Sequence, residues 1–201
     1  GRWAASPAAA RRHPPRDRIV LGPATSLAAN LRLLLAGGFL PGALRDEYAA
    51  VGEAIRDAIA PLFDGVPLLR IHGDCHRGNI LHRPGEAFHL IDFDDMATGP
   101  AVQDIWMLLP AHPRESLAEL DALAEGYETF RPFDWGELRL VEALRAMRYV
   151  HYEAWCARQQ ADQGFVQTVS NWGSESYWRQ EIELLARQCE EILLERDKPP
   201  L

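Results

Sequence analysis

With 201 residues, 47% hydrophobic and 25% charged, the chain has the make-up of a folded globular protein able to bury a sizeable core. Its 21 Lys and Arg against 29 Asp and Glu give a formal charge of −8, without the basic balance a nucleic-acid partner demands. Three scattered cysteines (Cys75, Cys156, Cys189) with no Cys-x-x-Cys pair argue against a disulfide framework and for a reducing cytoplasm, and no run of about 18 uncharged apolar residues is available to span a membrane.

Residues 1–25 are rich in Ala, Pro and Arg without periodicity and read as the loosely ordered lead-in of a single domain over 1–201, whose helical lobe is 26–201. The apolar stretch Trp3–Ala10 precedes Arg11 and Arg12, the reverse of signal-peptide order, and the start at Gly1 suggests a piece of a longer protein. Ser26 is placed to cap a helix with Leu27, Leu31, Leu34 and Leu35 on one side, ended by Gly37-Gly38. A long amphipathic helix follows from Leu44, with Tyr48, Val51, Ile55, Ile59 and Leu62 inward and Pro61 closing it.

The periodicity then changes. Leu68–Ile71 reads as extended, and Ile80–His82 and Phe88–Ile91 flank Arg83-Pro84-Gly85-Glu86 as a small hairpin. Helix returns at Val102–Leu109 and again over about 114–130, with Leu117, Leu120, Ala124 and Tyr127 on one side. Asp134 and Glu137 form an Asp-x-x-Glu capping box opening a helix to about Gln160. A linker over 164–173 leads to a last helix capped by Ser174, with Trp178, Ile182, Leu185, Cys189 and Ile192 inward. The fold class is α+β and mostly helical, with its polar signature on the loops bounding one hairpin.

That signature is His72-Gly73-Asp74-Cys75-His76-Arg77-Gly78-Asn79 and, downstream, Ile91-Asp92-Phe93-Asp94-Asp95. Phosphoryl transfer asks a protein to position an acceptor hydroxyl and to hold magnesium through hard oxygen ligands. Kinases draw these groups from His-Arg-Asp-x-x-x-x-Asn and Asp-Phe-Gly. Asp74 and Asn79 have the same spacing, and Asp92-Phe93 stands where Asp-Phe-Gly would. Asp74 is therefore the candidate catalytic base. Asn79 and Asp92 are the candidate ligands of magnesium and its nucleotide, with Asp92 counted beside Asp74 in the catalytic set.

Alternative roles are simpler for the neighbouring residues. His72, Cys75 and His76 lack a fourth ligand for zinc, so His72 reads as a satisfied core histidine and Cys75 as a small buried hydrophobe. Asp94 and Asp95 suit solvated or capping roles, and Arg145 and Arg148 suit ion pairs with nearby acids; the sequence leaves all four open. In kinase-like folds the corresponding Asp braces the catalytic-loop backbone, and by that resemblance Asp104 is expected to support the Asp74 loop.

Gly73 replaces the Arg that in protein kinases pairs with a phosphorylated loop, and no Ala-Pro-Glu follows, so that mode of regulation is not expected. His-Gly-Asp-x-x-x-x-Asn with Ile-Asp-Phe, Gly99 and Asp104 resembles the aminoglycoside phosphotransferase and choline kinase group. Within it, His72–Leu81, Asp94-Asp95, the string from Gly99 to Leu109 and Leu144–Arg148 look like the bacterial stress-response kinases. The resemblance implies the C-terminal, large lobe of a protein-kinase-like fold. It also implies a cytoplasmic serine/threonine protein kinase using ATP and Mg2+. A Gly-rich phosphate loop and a strand Lys belong to the small lobe; neither is found, and the one lysine is Lys198. The small lobe is expected to be a missing intramolecular partner, and the 201 residues alone are expected to be inactive. The alternatives are a kinase of an aminoglycoside, choline-like or amino-alcohol hydroxyl, and a non-catalytic binding module that keeps the fold.

Overall fold

The structure, a computed structural model, describes residues 18–160 and 171–199. These fall into two compact units, one of residues 18–21 and 65–141 and one of 22–64 and 142–199. The expected linker over 164–173 lies largely outside the described residues, as does the lead-in up to residue 17. Its end is ordered: Val20 bridges Thr98 in parallel, and the Leu21 amide donates to the Thr98 carbonyl at 2.8 Å.

The second unit is helical. Helix α1 (Ala28–Ala36) buries Leu31 and Leu34 and ends where the Gly37 amide donates to the Leu33 carbonyl, with Gly38 at φ 71°. Ser26 does not cap it. A π-helical turn, Pro23–Leu27, starts earlier, because Pro23 has its φ preset and no amide to satisfy. The Ser26 hydroxyl instead bonds to the Gly22 backbone at 3.1 and 3.2 Å. Helix α2 (Arg45–Ile59) buries Tyr48, Ile55 and Ile59, and Pro61 falls in the 3-10 turn Ala60–Phe63 that follows.

Helix α5 (Val141–Gln159) and helix α6 (Glu175–Arg196) complete the unit; α3 and α4 belong to the first. Ser174 caps α6 as expected, its Oγ accepting the Tyr177 amide at 3.2 Å. Helix α6 packs on α2 through Trp178, whose ring meets Tyr48 edge-on at 5.4 Å and whose Nε1 donates to the Phe39 carbonyl at 2.9 Å. Burying one such side chain stabilises by roughly 1.5–3 kcal/mol. Ile182, Leu185 and Ile192 continue the stripe inward, while Cys189 is only half-buried.

The first unit carries the strands. β1 (Leu69–Ile71) pairs antiparallel with β4 (Ala97–Gly99), Ile71 opposite Ala97. β2 (Ile80–His82) and β3 (Phe88–Leu90) form the expected hairpin, Ile80 opposite Leu90. The helix expected over Val102–Leu109 is regular only as α3 (Gln103–Trp106), with turns beyond it; Pro110 disfavours helical backbone at Leu109. Helix α4 (Leu117–Glu128) is shorter than expected, since Pro113 starts a separate 3-10 turn, and Leu117 is exposed while Leu120 and Ala124 are buried.

The Asp134–Glu137 box is half right. Asp134 Oδ1 accepts the Gly136 amide at 2.9 Å, but it opens a 3-10 helix, Trp135–Leu140, ahead of α5. Glu137 turns away from it and accepts the Val102 amide at 3.0 Å from a buried position.

Candidate active site

β1 delivers the chain to His72, and the next eight residues fold back on themselves. Buried His72 uses both ring nitrogens: Nε2 lies 2.9 Å from the Ile91 carbonyl oxygen, and Nδ1 accepts the Asp74 amide at 3.4 Å. The satisfied core histidine expected from the sequence is what stands there. Its ring also packs on Phe93 at 4.8 Å.

Gly73 sits at φ 87°, and a Cβ placed on it would collide with the Asp95 carbonyl oxygen. Only glycine allows the backbone at 95 to come this close. Asp104 on α3 accepts the His72 amide at 2.6 Å and the Gly73 amide at 2.9 Å, which is the bracing role expected of it. Burial pushes the Asp104 carboxyl above the usual range, and the two amide bonds pull it back toward ionisation.

Asp74 and Asn79 are brought together directly. Asn79, buried, donates from Nδ2 to the Asp74 carbonyl at 3.0 Å and to Asp74 Oδ2 at 3.1 Å. Asp92 follows directly on a residue that the same loop holds. The register Ile80 opposite Leu90 sets Asn79 beside Ile91, whose amide donates to the Asn79 carbonyl at 3.0 Å. With its carbonyl at His72, Ile91 is held by both ends of the 72–79 loop, one residue before Asp92. Asp92 is exposed and has φ 62°, a left-handed conformation that non-glycine residues adopt sparingly and often at functional sites. Asp94 and Asp95 are exposed, and Arg145 pairs with Glu142 at 3.1 Å on α5.

Two contributors, Gln103 and Arg77, were not singled out from the sequence, and His76 was weighed there only as a zinc ligand. Gln103 Nε2 donates to the Gly73 carbonyl at 2.8 Å, and its Oε1 accepts the Trp106 indole at 3.1 Å. Arg77 Nε donates to the Leu108 carbonyl at 3.2 Å. His76 Nε2 lies 3.4 Å from Asp74 Oδ2. Only the adjacency of Gln103 to Asp104 could have signalled any of these. Cys75 is buried, and its thiol is pushed up to about 12, first by burial and then by the Asp104 and Asp74 charges, which disfavours the nucleophilic thiolate.

The donor set fits magnesium rather than a soft metal. The Asn79 amide nitrogen is committed to Asp74, which leaves an amide oxygen and the exposed Asp92 carboxylate as hard oxygens that could hold such an ion. Among the described residues no group of three or more His, Cys, Asp and Glu could hold a metal ion alone. Magnesium bound with a nucleotide needs no such cage, because phosphate oxygens and waters complete its shell.

A family model described as the phosphotransferase enzyme family matches residues 4–141. Stress response kinase A of Escherichia coli K12 is 39% identical over 163 residues, 81% of this chain and 48% of that protein. The serine/threonine protein kinase RdoA of Salmonella typhimurium is 44% identical over 133 residues, 66% of this chain and 39% of that protein. The chain thus spans half or less of the length of these curated relatives. A crystal structure of a choline/ethanolamine kinase family protein from Mesorhizobium loti superposes with a TM-score of 0.50 at 19% identity, covering 84% of this chain and 59% of that one. That likeness supports the mostly helical kinase-like lobe.

Proposed function

This chain belongs to the phosphotransferase enzyme family, and from that premise we propose that it is the C-terminal lobe of an ATP- and Mg2+-dependent kinase that phosphorylates Ser or Thr hydroxyls of proteins. The observation that carries the proposal is the Asn79 bond to Asp74 Oδ2 at 3.1 Å, on a loop that also holds the residue before Asp92. Protein rather than small-molecule acceptors are favoured by the relative named serine/threonine protein kinase RdoA. A reducing compartment, the cytoplasm, fits the three free cysteines.

Asp74 takes the proton from the acceptor hydroxyl as that oxygen attacks the transferred phosphoryl group. Asn79 and Asp92 would hold magnesium, which when bound neutralises phosphate charge. Asn79 also fixes the carboxylate of Asp74 through its amide nitrogen. Asp104 and Gln103 hold the backbone at 72–73, so that the base stays where it is needed.

The 201 residues alone are proposed not to transfer phosphate, since no glycine-rich phosphate loop is recognisable in them. The deciding assay therefore uses a protein of the relatives' length that contains this chain. There Asp74→Asn lowers turnover by roughly 10²–10⁴-fold with ATP binding retained. Unchanged turnover would remove Asp74 from the base role. Transfer to an amino-alcohol but never to casein-type protein would overturn the acceptor class.

A further inference from the structure

Gln103 is buried and uses every polar group of its amide. Nε2 donates to the Gly73 carbonyl at 2.8 Å and to Met107 Sδ at 3.2 Å, while Oε1 accepts the Trp106 indole at 3.1 Å. An indole nitrogen can only donate, so Trp106 fixes which end of the amide is oxygen and turns both N–H groups toward Gly73 and Met107. One side chain of α3 thus ties the residue before Asp74 to a thioether sulfur.

That sulfur is the weak member of the set. A thioether is a poor acceptor, yet it is the partner of the second N–H of a buried amide. Met107 is half-buried, as is Met96, whereas Met147 is enclosed at 3% exposure. Hydrogen peroxide reaching Met107 transfers one oxygen atom to a lone pair of the sulfur. The S–O bond forms as the O–O bond breaks, sulfur gives up an electron pair, and the peroxide is reduced to water.

Both lone pairs lead to the same end. An oxygen on the one facing Gln103 would stand between two atoms only 3.2 Å apart and push the amide away. An oxygen on the other draws electron density from the sulfur, and the Gln103 N–H loses its acceptor. In each case the side chain that holds the Gly73 carbonyl is disturbed, and loss of alignment beside a reacting group is costly in rate.

We propose that Met107 is an oxidation site, where sulfoxide formation by a peroxide-class oxidant lowers phosphoryl transfer by loosening the Gln103 bond to Gly73. The inference rests on the reading of Asp74 as the base. Methionine sulfoxide reductases reverse the change, so the site can pass between two states.

The test treats a protein of the relatives' length with hydrogen peroxide and maps sulfoxide by peptide mass. Turnover is expected to fall roughly fivefold as Met107 is converted, the size of one lost hydrogen bond, with KM for ATP unchanged. Methionine sulfoxide reductases A and B are expected to restore it and dithiothreitol alone is not, which separates the effect from oxidation of the free cysteines. Met107→Leu is expected to keep its own turnover through the same treatment, whereas Met96→Leu loses turnover as the parent does. Hydrogen exchange at the amides of 72–74 is expected to rise on oxidation of the parent and to stay level in Met107→Leu. Met107 left unoxidised where Met96 is converted would overturn the proposal. So would full conversion of Met107 with turnover unchanged, or an equal peroxide loss in Met107→Leu. Asp74→Asn is measured alongside: if it leaves turnover unchanged, the base reading has failed, and exchange at 72–74 then decides the oxidation site by itself.

Discussion

Asp104 reaches across 31 residues of sequence to accept the Gly73 amide at 2.9 Å, while its other oxygen takes the amide of His72. Truncating it leaves two backbone donors without a partner beneath the loop. Asp104→Ala is expected to destabilise the chain by about 2–3 kcal/mol, as for bonds to a charged group. Urea unfolding checks this, and a change within about 0.5 kcal/mol would be the size of an ordinary surface substitution.

Gly73 makes a second, sterically based prediction. Gly73→Ala puts a methyl group into the Asp95 carbonyl and imposes a left-handed backbone on an L-residue. The backbone conformation alone costs about 1–2 kcal/mol, with the collision added to it. A thermal melt of Gly73→Ala should therefore show clear destabilisation. Gly126, a site with open space for a Cβ, is the control for the same substitution.

Glu137 belongs to the same support, one layer further out. Its buried carboxylate accepts the Val102 amide ahead of α3, and burial raises its carboxyl above the usual range. Glu137→Ala leaves that amide unpaired and should cost about 1–3 kcal/mol. Hydrogen exchange at Val102 should rise in step. An unchanged exchange rate there would show that Glu137 does not hold the segment.

Glu153 on α5 provides a pH dependence. Its buried carboxylate accepts the Trp172 indole at 2.9 Å and the Tyr177 hydroxyl at 2.7 Å, with Glu181, Tyr48, Tyr152 and Cys156 nearby and contributing no positive charge. Burial pushes its carboxyl up from 4.5 to about 7, against the pull of those two bonds. The folded chain then holds a proton that the unfolded chain has released, so the stabilisation is complete below about pH 4.5 and is lost as pH rises through about 7. The expected loss is of order 3 kcal/mol across that window. Glu153→Gln should flatten the difference in urea-unfolding stability between pH 5 and 7.5. A variant as steep as the parent would assign the slope to other groups.

What could be seen in the sequence was whatever is encoded locally. The Asp74 to Asn79 spacing, the hairpin turn at 83–86 and the helical stripes each depend on near neighbours, and the structure has the hairpin and most of the stripe residues where spacing put them, Leu117 and Cys189 excepted. The pairing of β1 with Ala97–Gly99 was hidden, because Ala-Thr-Gly has little strand character and its partner lies far away. Ser26 and Glu137 misled for a related reason. Cap-forming residues also bond to other backbone, and the Gly22 backbone and the Val102 amide offered those alternatives. The contribution of Gln103 was hidden because a buried amide's partners depend on the tertiary fold.

Asp92 carries a constraint separate from any chemistry of its carboxylate. At φ 62° the position admits Asn or Gly with little resistance, whereas Val, Ile or Thr would meet their own backbone. The residues permitted at 92 are therefore limited by handedness, and on the proposed magnesium role by ligand character as well, and Asp and Asn satisfy both. A saturation library at this position, sorted for folding alone, should already be depleted of β-branched side chains.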